Sequence, residues 1–255
     1  MIANYHTHTW RCNHAEGKEE DYVRNAIARG LKTLGFSDHS PYIFPEGYVS
    51  TFRMKMDQLD DYVSEVMRLR TVYQTDIEIP LGVELEYYPE LLPELLEQLR
   101  DRPIEYAILG QHYLGNEIAE HYNGRPTTDV SLLRRYTHQS AEGMNTGLFS
   151  YFAHPDLFNF VGERSVYQSY MRQICREANS CHMPLEINFL GIRARRNYPN
   201  PDFWRVAAEE NCTVIFGCDA HDPQAMLELE SEEKARRMVE EYGLRLVEQI
   251  ELRHI

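Results

Sequence analysis

Apolar positions along this chain alternate between two periods. Over residues 18–31, Tyr22, Val23, Ala26, Ile27 and Leu31 recur at three- and four-residue intervals, and Gly30 supplies a stop signal, which predicts a helix. On either side lie short runs read as strands: the stretch 4–8, and T-L-G-F-S-D-H-S, which closes on the polar tip Asp38 and His39. After a loop with Pro41, Pro45 and Gly47, residues 54–73 predict a second helix, and I-E-I-P-L-G-V-E-L-E-Y-Y-P predicts a strand carrying Glu84 and Glu86 near its end. The alternation continues with a helix at 90–99 and the strand Y-A-I-L-G-Q-H-Y, then a helix at 129–144 and the strand Y-F-A-H-P-D. A helix at 166–178 leads to P-L-E-I-N-F-L-G, and one at 201–210 leads to T-V-I-F-G-C-D-A-H. From 231 a charged amphipathic helix precedes G-L-R-L-V-E-Q-I-E-L, which fits either a closing strand or a helical tail.

Strands alternating with helices imply right-handed crossovers and a parallel sheet. Seven such units in 255 residues favour a closed TIM-barrel-like α/β fold, a single domain over 1–255, rather than an open doubly wound sheet. No Gly-rich phosphate loop follows any strand, which counts against the open nucleotide-binding folds. A hydrophobic fraction of 43% with 26% charged residues is that of an ordinary globular protein. The net charge of -14 argues against nonspecific binding to nucleic acid or to an anionic membrane surface, since both need a basic footprint. With no basic-then-apolar leader and no apolar run of spanning length, the expected location is the cytoplasm. Cys12, Cys175, Cys181, Cys212 and Cys218 contain no C-x-x-C, so neither a disulfide framework nor a thiolate zinc site is expected.

The chemistry is concentrated at strand ends. His6 and His8 are two apart, so on a strand their imidazoles point the same way and can reach one ion, with His14 following in a loop. Seven of the eleven histidines (His6, His8, His14, His39, His112, His154 and His221) fall at or just beyond predicted strand ends, as do Asp38, Glu84 and Asp219. In a β/α barrel those ends converge on one mouth. Crowded imidazoles repel one another once protonated, and a cation is the ordinary reason to gather them. The number of ligands exceeds the need of one ion or two, so up to three divalent metals are expected. Imidazole and carboxylate without thiolate suit Zn, Fe or Mn. His138 and His182 on predicted helices, His121 in a loop and His254 near the chain end are read as lying outside the site.

These stretches resemble the motifs of the polymerase and histidinol phosphatase (PHP) superfamily: H-T-H-T-x-x-C-x-H, S-D-H-S-P, G-V-E-L-E-Y-Y-P, A-H-P-D, E-I-N-x-x-G-I-R and D-A-H, spread over essentially the whole chain. The resemblance implies a distorted (β/α)7 barrel with a trinuclear metal site. It implies one ion held by His6, His8, Glu84 and Asp219, a second by Glu84, His112 and His154, and a third by His14, His39 and His221. It matches Arg193 to a phosphate-binding arginine; its neighbours Arg195 and Arg196 fit either an assisting role or an ordinary solvated loop. The strand-three and strand-six motifs are most similar to those of the histidinol-phosphate phosphatases, which implies hydrolysis of L-histidinol phosphate to histidinol and phosphate in histidine biosynthesis. One departure is G-Q-H at the end of the fourth predicted strand, where those phosphatases show a longer G-S-V-H.

The reaction expected is in-line attack of metal-activated water on a small phosphate monoester. Asp219 or a metal-linked histidine such as His221 would protonate the leaving alkoxide. Three rivals are a phosphodiesterase or exonuclease, an amidohydrolase-type enzyme and a noncatalytic metal-binding module. The acidic surface and the lack of a basic aromatic strip disfavour the first. The amidohydrolase type often carries a lysine on its fourth strand, where this chain has Gln111 and His112. Phosphate release separates the last from the others.

Overall fold

The computed structural model describes residues 1–118 and 121–255. The chain begins with β1 (Ala3–Asn4), α1 (Glu19–Arg29), β2 (Thr33–Leu34), β3 (Phe36–His39) and α2 (Leu59–Val72). It continues with β4 (Leu81–Leu85), α3 (Leu92–Leu99), β5 (Tyr106–Leu109), α4 (Val130–Asn145), β6 (Phe149–Phe152) and α5 (Arg164–Ser180). The last elements are β7 (Leu185–Asn188), α6 (Phe189–Arg193), α7 (Pro201–Glu209), β8 (Thr213–Gly217), α8 (Glu230–Tyr242) and β9 (Arg245–Leu246). Strands β3 to β9 pair in sequence order, all parallel, and β1 pairs with β2.

The ends of this sheet are joined by the N-terminal segment. Gly35 N donates to Asn4 O at 2.7 Å and Ser37 N to Thr7 O at 2.9 Å, while His8 N donates to Ala220 O at 3.0 Å and Ala220 N to His6 O at 3.3 Å. Residues 4–8 therefore lie between β3 and the chain just beyond β8, and a distorted parallel barrel results. The expected first strand is reduced to β1 plus this extended run, and the expected second strand is broken at Gly35 into β2 and β3. The open question at the C-terminus resolves as a strand, since Arg245 and Leu246 pair with Thr213 and Val214. Helix α6 was not anticipated from the pattern. It starts because the Asn188 side chain accepts from Gly191 N at 3.0 Å, a cap worth about 1 kcal/mol. His182, expected on a helix, sits past the end of α5 with φ 50°.

Period two on the strands sorts side chains between two layers. On β5, Ala107 and Leu109 join the large core against the helices, while Tyr106 and Ile108 point into the barrel with Tyr5, Tyr151, Ala153 and Ile215. The Tyr106 hydroxyl donates to Tyr5 O at 2.8 Å, so this end of the barrel is plugged. On the helix side, α3 buries Leu92, Leu95 and Leu99, each worth about 1.5–3 kcal/mol. Further along the same inward face, β4 presents Glu84 and β7 presents Glu186 and Asn188, all buried, so the barrel changes from apolar to ionic toward the carboxyl ends of its strands.

Candidate metal centre

Glu84 stands at the middle of the polar end. Its Oε1 lies 3.0 Å from His154 Nε2, 3.7 Å from His6 Nε2 and 3.8 Å from His112 Nε2. Its Oε2 lies 3.0 Å from His39 Nδ1 and 3.6 Å from His8 Nε2. Asp219 Oδ1 lies 3.3 Å from His8 Nε2 and 3.7 Å from His6 Nε2. His14, His39 and His221 bring nitrogens within 4.8 Å of one another. The nine side chains expected at the site thus gather at one mouth. Cys12 also approaches His8 and His221, and burial pushes its thiol far above the ordinary value.

Outward-facing partners aim the rings. His6 Nδ1 is 2.7 Å from Glu186 Oε1, His8 Nδ1 is 3.3 Å from Asp38 Oδ1, and His112 Nδ1 is 2.8 Å from Glu86 Oε1. His14 Nδ1 meets the Cys12 carbonyl at 2.8 Å and His221 Nδ1 the Asp219 carbonyl at 3.2 Å. Each carboxylate or carbonyl accepts from the ring's Nδ1–H and turns Nε2 inward, the arrangement that metal-binding histidines use. Sequence reading noted Asp38 and Glu86 only as strand-end acids and overlooked Glu186. The available signal was the two-residue spacing of Glu84 and Glu86, which places both on one strand face.

The residues fit a divalent cation. Buried and without a hydrogen-bond partner are His6 Nε2, His8 Nε2, His39 Nδ1, His154 Nδ1, His221 Nε2, Glu84 Oε2 and Asp219 Oδ1. Buried polar atoms left unpaired cost about 1–3 kcal/mol each, and these atoms belong to residues that group in threes at cation-binding separations. Protonation tells the same story. Burial opposes a charge on His6, His8 and His112, yet the surrounding carboxylates overcome it and hold all three above the ordinary imidazole value, His8 at about 9. Burial, reinforced by charged His8, depresses His14, His39 and His221, the last to about 4. Burial would raise Glu84 and Asp219, but their imidazole neighbours hold both well below the carboxylate range. These shifts come from carboxylates and imidazoles packed against one another, the donor set that a divalent cation takes.

Above this floor is a cavity of about 380 Å³ walled by Phe52, Tyr113, Tyr122, Leu190 and Tyr198, with Arg196 on its lining. Arg193 is placed differently. Its Nη2 donates to the carbonyls of Cys218 at 3.0 Å and Asp219 at 3.2 Å, and Nη1 is buried without a partner beside a neighbouring cavity of about 450 Å³. It braces the turn at Asp219, whose φ of 45° is left-handed, as is the 33° of His154. Gln111, the residue of the G-Q-H departure, spends its amide on Tyr87 N at 3.0 Å and Tyr113 O at 2.7 Å and does not line the cavity. His138 pairs with Glu142 on α4, away from the mouth.

Residues 4–190 match the family described as PHP domain. A probable histidinol-phosphatase of Deinococcus radiodurans is 30% identical over 231 residues, covering 87% of each chain, and one of Schizosaccharomyces pombe is 26% identical, covering 88% of this chain and 81% of that one. Among solved structures, histidinol phosphate phosphatase of Lactococcus lactis, complexed with zinc, L-histidinol and phosphate, superposes with a TM-score of 0.75 at 20% identity, covering 96% of this chain and 95% of that one. A putative histidinol phosphatase of Listeria monocytogenes gives 0.70 at 18% identity, covering 88% and 96%. Among the described residues, no helix is long and apolar enough to cross a membrane.

Proposed function

The chain belongs to the PHP domain family, and on that premise we propose that it is a metal-dependent phosphomonoesterase whose substrate is L-histidinol phosphate, cleaved to histidinol and phosphate in the cytoplasm. The observation that carries this reading is the convergence of nine side chains at one mouth, seven of which have a buried polar atom without a hydrogen-bond partner. His6, His8, Glu84 and Asp219 would hold one ion, Glu84, His112 and His154 a second, and His14, His39 and His221 a third, with zinc, iron or manganese all suited to the donors. Divalent ions held there would supply a water of lowered pKa and offset negative charge on the phosphoryl oxygens.

The chain's own residues do the rest. Glu186, Asp38 and Glu86 accept from Nδ1 of His6, His8 and His112 and orient those rings with Nε2 toward the ions they would hold. Arg196 faces the cavity and takes a nonbridging phosphoryl oxygen, where its charge offsets the charge that grows in the transition state. Arg193 holds the Asp219 turn and lends its unpaired Nη1 to the same field. Asp219 and His221, in contact at the mouth, are the groups placed to pass a proton to the leaving alkoxide. The aromatic walls offer faces for a planar imidazole ring and narrow the cavity against a polymer.

Inorganic phosphate release from a panel of esters tests the reading. Histidinol phosphate should be cleaved with a kcat/KM well above that for simple sugar phosphates, and diesters and DNA should be poor substrates. A preference for a diester would overturn it. No lysine lines the cavity among the described residues, so the amidohydrolase alternative lacks its usual strand-four group.

A further inference from the structure

The geometry points to Arg53 as a positioning residue for the His112 side of the metal centre, acting through Glu86. Arg53 lies in the loop between β3 and α2, far in sequence from every ligand of that side, and it is buried. Its Nη2 is 2.6 Å from Glu86 Oε2, and its Nε donates to Glu117 Oε1 at 2.8 Å. Glu86 Oε1, the other oxygen of the same carboxylate, is the atom 2.8 Å from His112 Nδ1. A single line of contacts therefore runs from Glu117 through Arg53 and Glu86 to the ring whose Nε2 faces Glu84.

The directionality is what separates this from ordinary packing. A buried ionic group contributes little net stability that an apolar side chain of equal size would not, and such networks can often be replaced without loss. A planar guanidinium does something else: it fixes the plane and rotation of a carboxylate that it grips. One Glu86 oxygen is paired by charge with Arg53 at 2.6 Å, without hydrogen-bond geometry, and the other meets His112 Nδ1 at 2.8 Å. Arg53 is itself fixed. Its guanidinium stacks 4.6 Å from the Phe52 ring, its carbonyl accepts from Asn13 Nδ2 at 2.9 Å, and Ser50 Oγ donates to Glu117 Oε2 at 2.8 Å.

This inference rests on the metal-dependent reading above, and its test reads ions rather than turnover. Wild type, Arg53→Met, Arg53→Lys, Glu86→Gln and the Arg53→Met/Glu86→Gln double variant are loaded with zinc chloride, titrated with a chelator of known affinity, and analysed for zinc per chain. In Arg53→Met one ion should be lost about 10- to 100-fold more readily while the others keep wild-type affinity. Arg53→Lys should fall between, and the double variant should be no weaker than the weaker single one, because both changes cut the same line. Wild-type affinities in Arg53→Met, uniform weakening of every ion, or a wild-type chain that takes up no zinc would each overturn the assignment. If Arg53→Met does not fold, a zinc titration of Arg53→Lys identical to that of wild type, beside a Glu86→Gln protein that loses an ion, overturns it instead. Phosphate release is recorded on the same samples. A wild type that binds its ions but cleaves no monoester removes the proposed function and leaves the Arg53 comparison standing.

Discussion

Gly110 and Gly217 lack side chains because two carboxylates occupy the space. A Cβ built on Gly110 would lie 2.0 Å from Glu84 Oε1, and one on Gly217 would lie 1.7 Å from Glu186 Oε1. Neither carboxylate can retreat, since both are fully buried and each already faces an imidazole. Gly217→Ala should therefore push Glu186 away from His6 Nδ1 and weaken ion binding at the His6 side by about 10- to 100-fold, the usual cost of disturbing a ligand's outer partner. Chelator competition on the purified variant measures this, and wild-type affinity would show that Glu186 does not orient His6. The two arginines after β7 separate at the same scale. Arg196→Ala should raise KM for histidinol phosphate with metal content unchanged, because Arg196 lines the cavity and its side-chain hydrogen bond goes to the Tyr198 hydroxyl. Arg193→Ala should lower metal retention as well, because it frees the Cys218 and Asp219 carbonyls and relaxes the left-handed turn that presents Asp219. Elemental analysis beside steady-state kinetics distinguishes the two; equal metal loss in both variants would contradict the assignment.

Among elements, the contact between α8, α1 and the chain start illustrates how the outer layer is pinned. Burial would raise the pKa of Glu232 on α8, but the N-terminal ammonium, Arg29 at 2.5 Å and Arg236 at 2.7 Å overcome it and hold it at about 2. A folded value below the unfolded one means that Glu232 stabilises the fold fully above the ordinary carboxylate range, and that this contribution disappears as pH falls toward 2. Glu232→Gln should lower Tm at pH 7, and the gap from wild type should narrow steadily below pH 4.5. A gap that is constant with pH, followed by thermal melts, would assign the loss to packing instead. The elements themselves were legible where periodicity was long: α1, α2, α4, α5, α7 and α8 all appear within a few residues of their expected bounds. They were illegible where a single side chain decides. Helix α6 depends on the Asn188 cap inside a run that reads as strand, and the break between β2 and β3 depends on Gly35 in an otherwise apolar run.

At the scale of the whole molecule, the sequence shows which residues gather but not what aims them. Ligand types at strand ends are visible because the β/α alternation assigns every strand end to one mouth, so His112 and Asp219, about a hundred residues apart, can be grouped without coordinates. The partners of those ligands are another matter. Glu186 reaches His6 across the barrel, and Arg53 reaches Glu86 from a loop, and no period along the chain connects either pair. The same limit hid the difference between Arg193 and Arg196, three residues apart and facing different cavities.

The most direct test of the centre is the number of ions it holds. Protein purified without chelators and reloaded with zinc, iron or manganese should carry more than one ion per chain by elemental analysis. Glu84→Gln should lose more than one of them, because Glu84 approaches five imidazoles, whereas His14→Asn should lose no more than one. A wild-type chain that cannot be loaded beyond a single ion, or a Glu84→Gln protein with the same metal content as His14→Asn, would contradict the account.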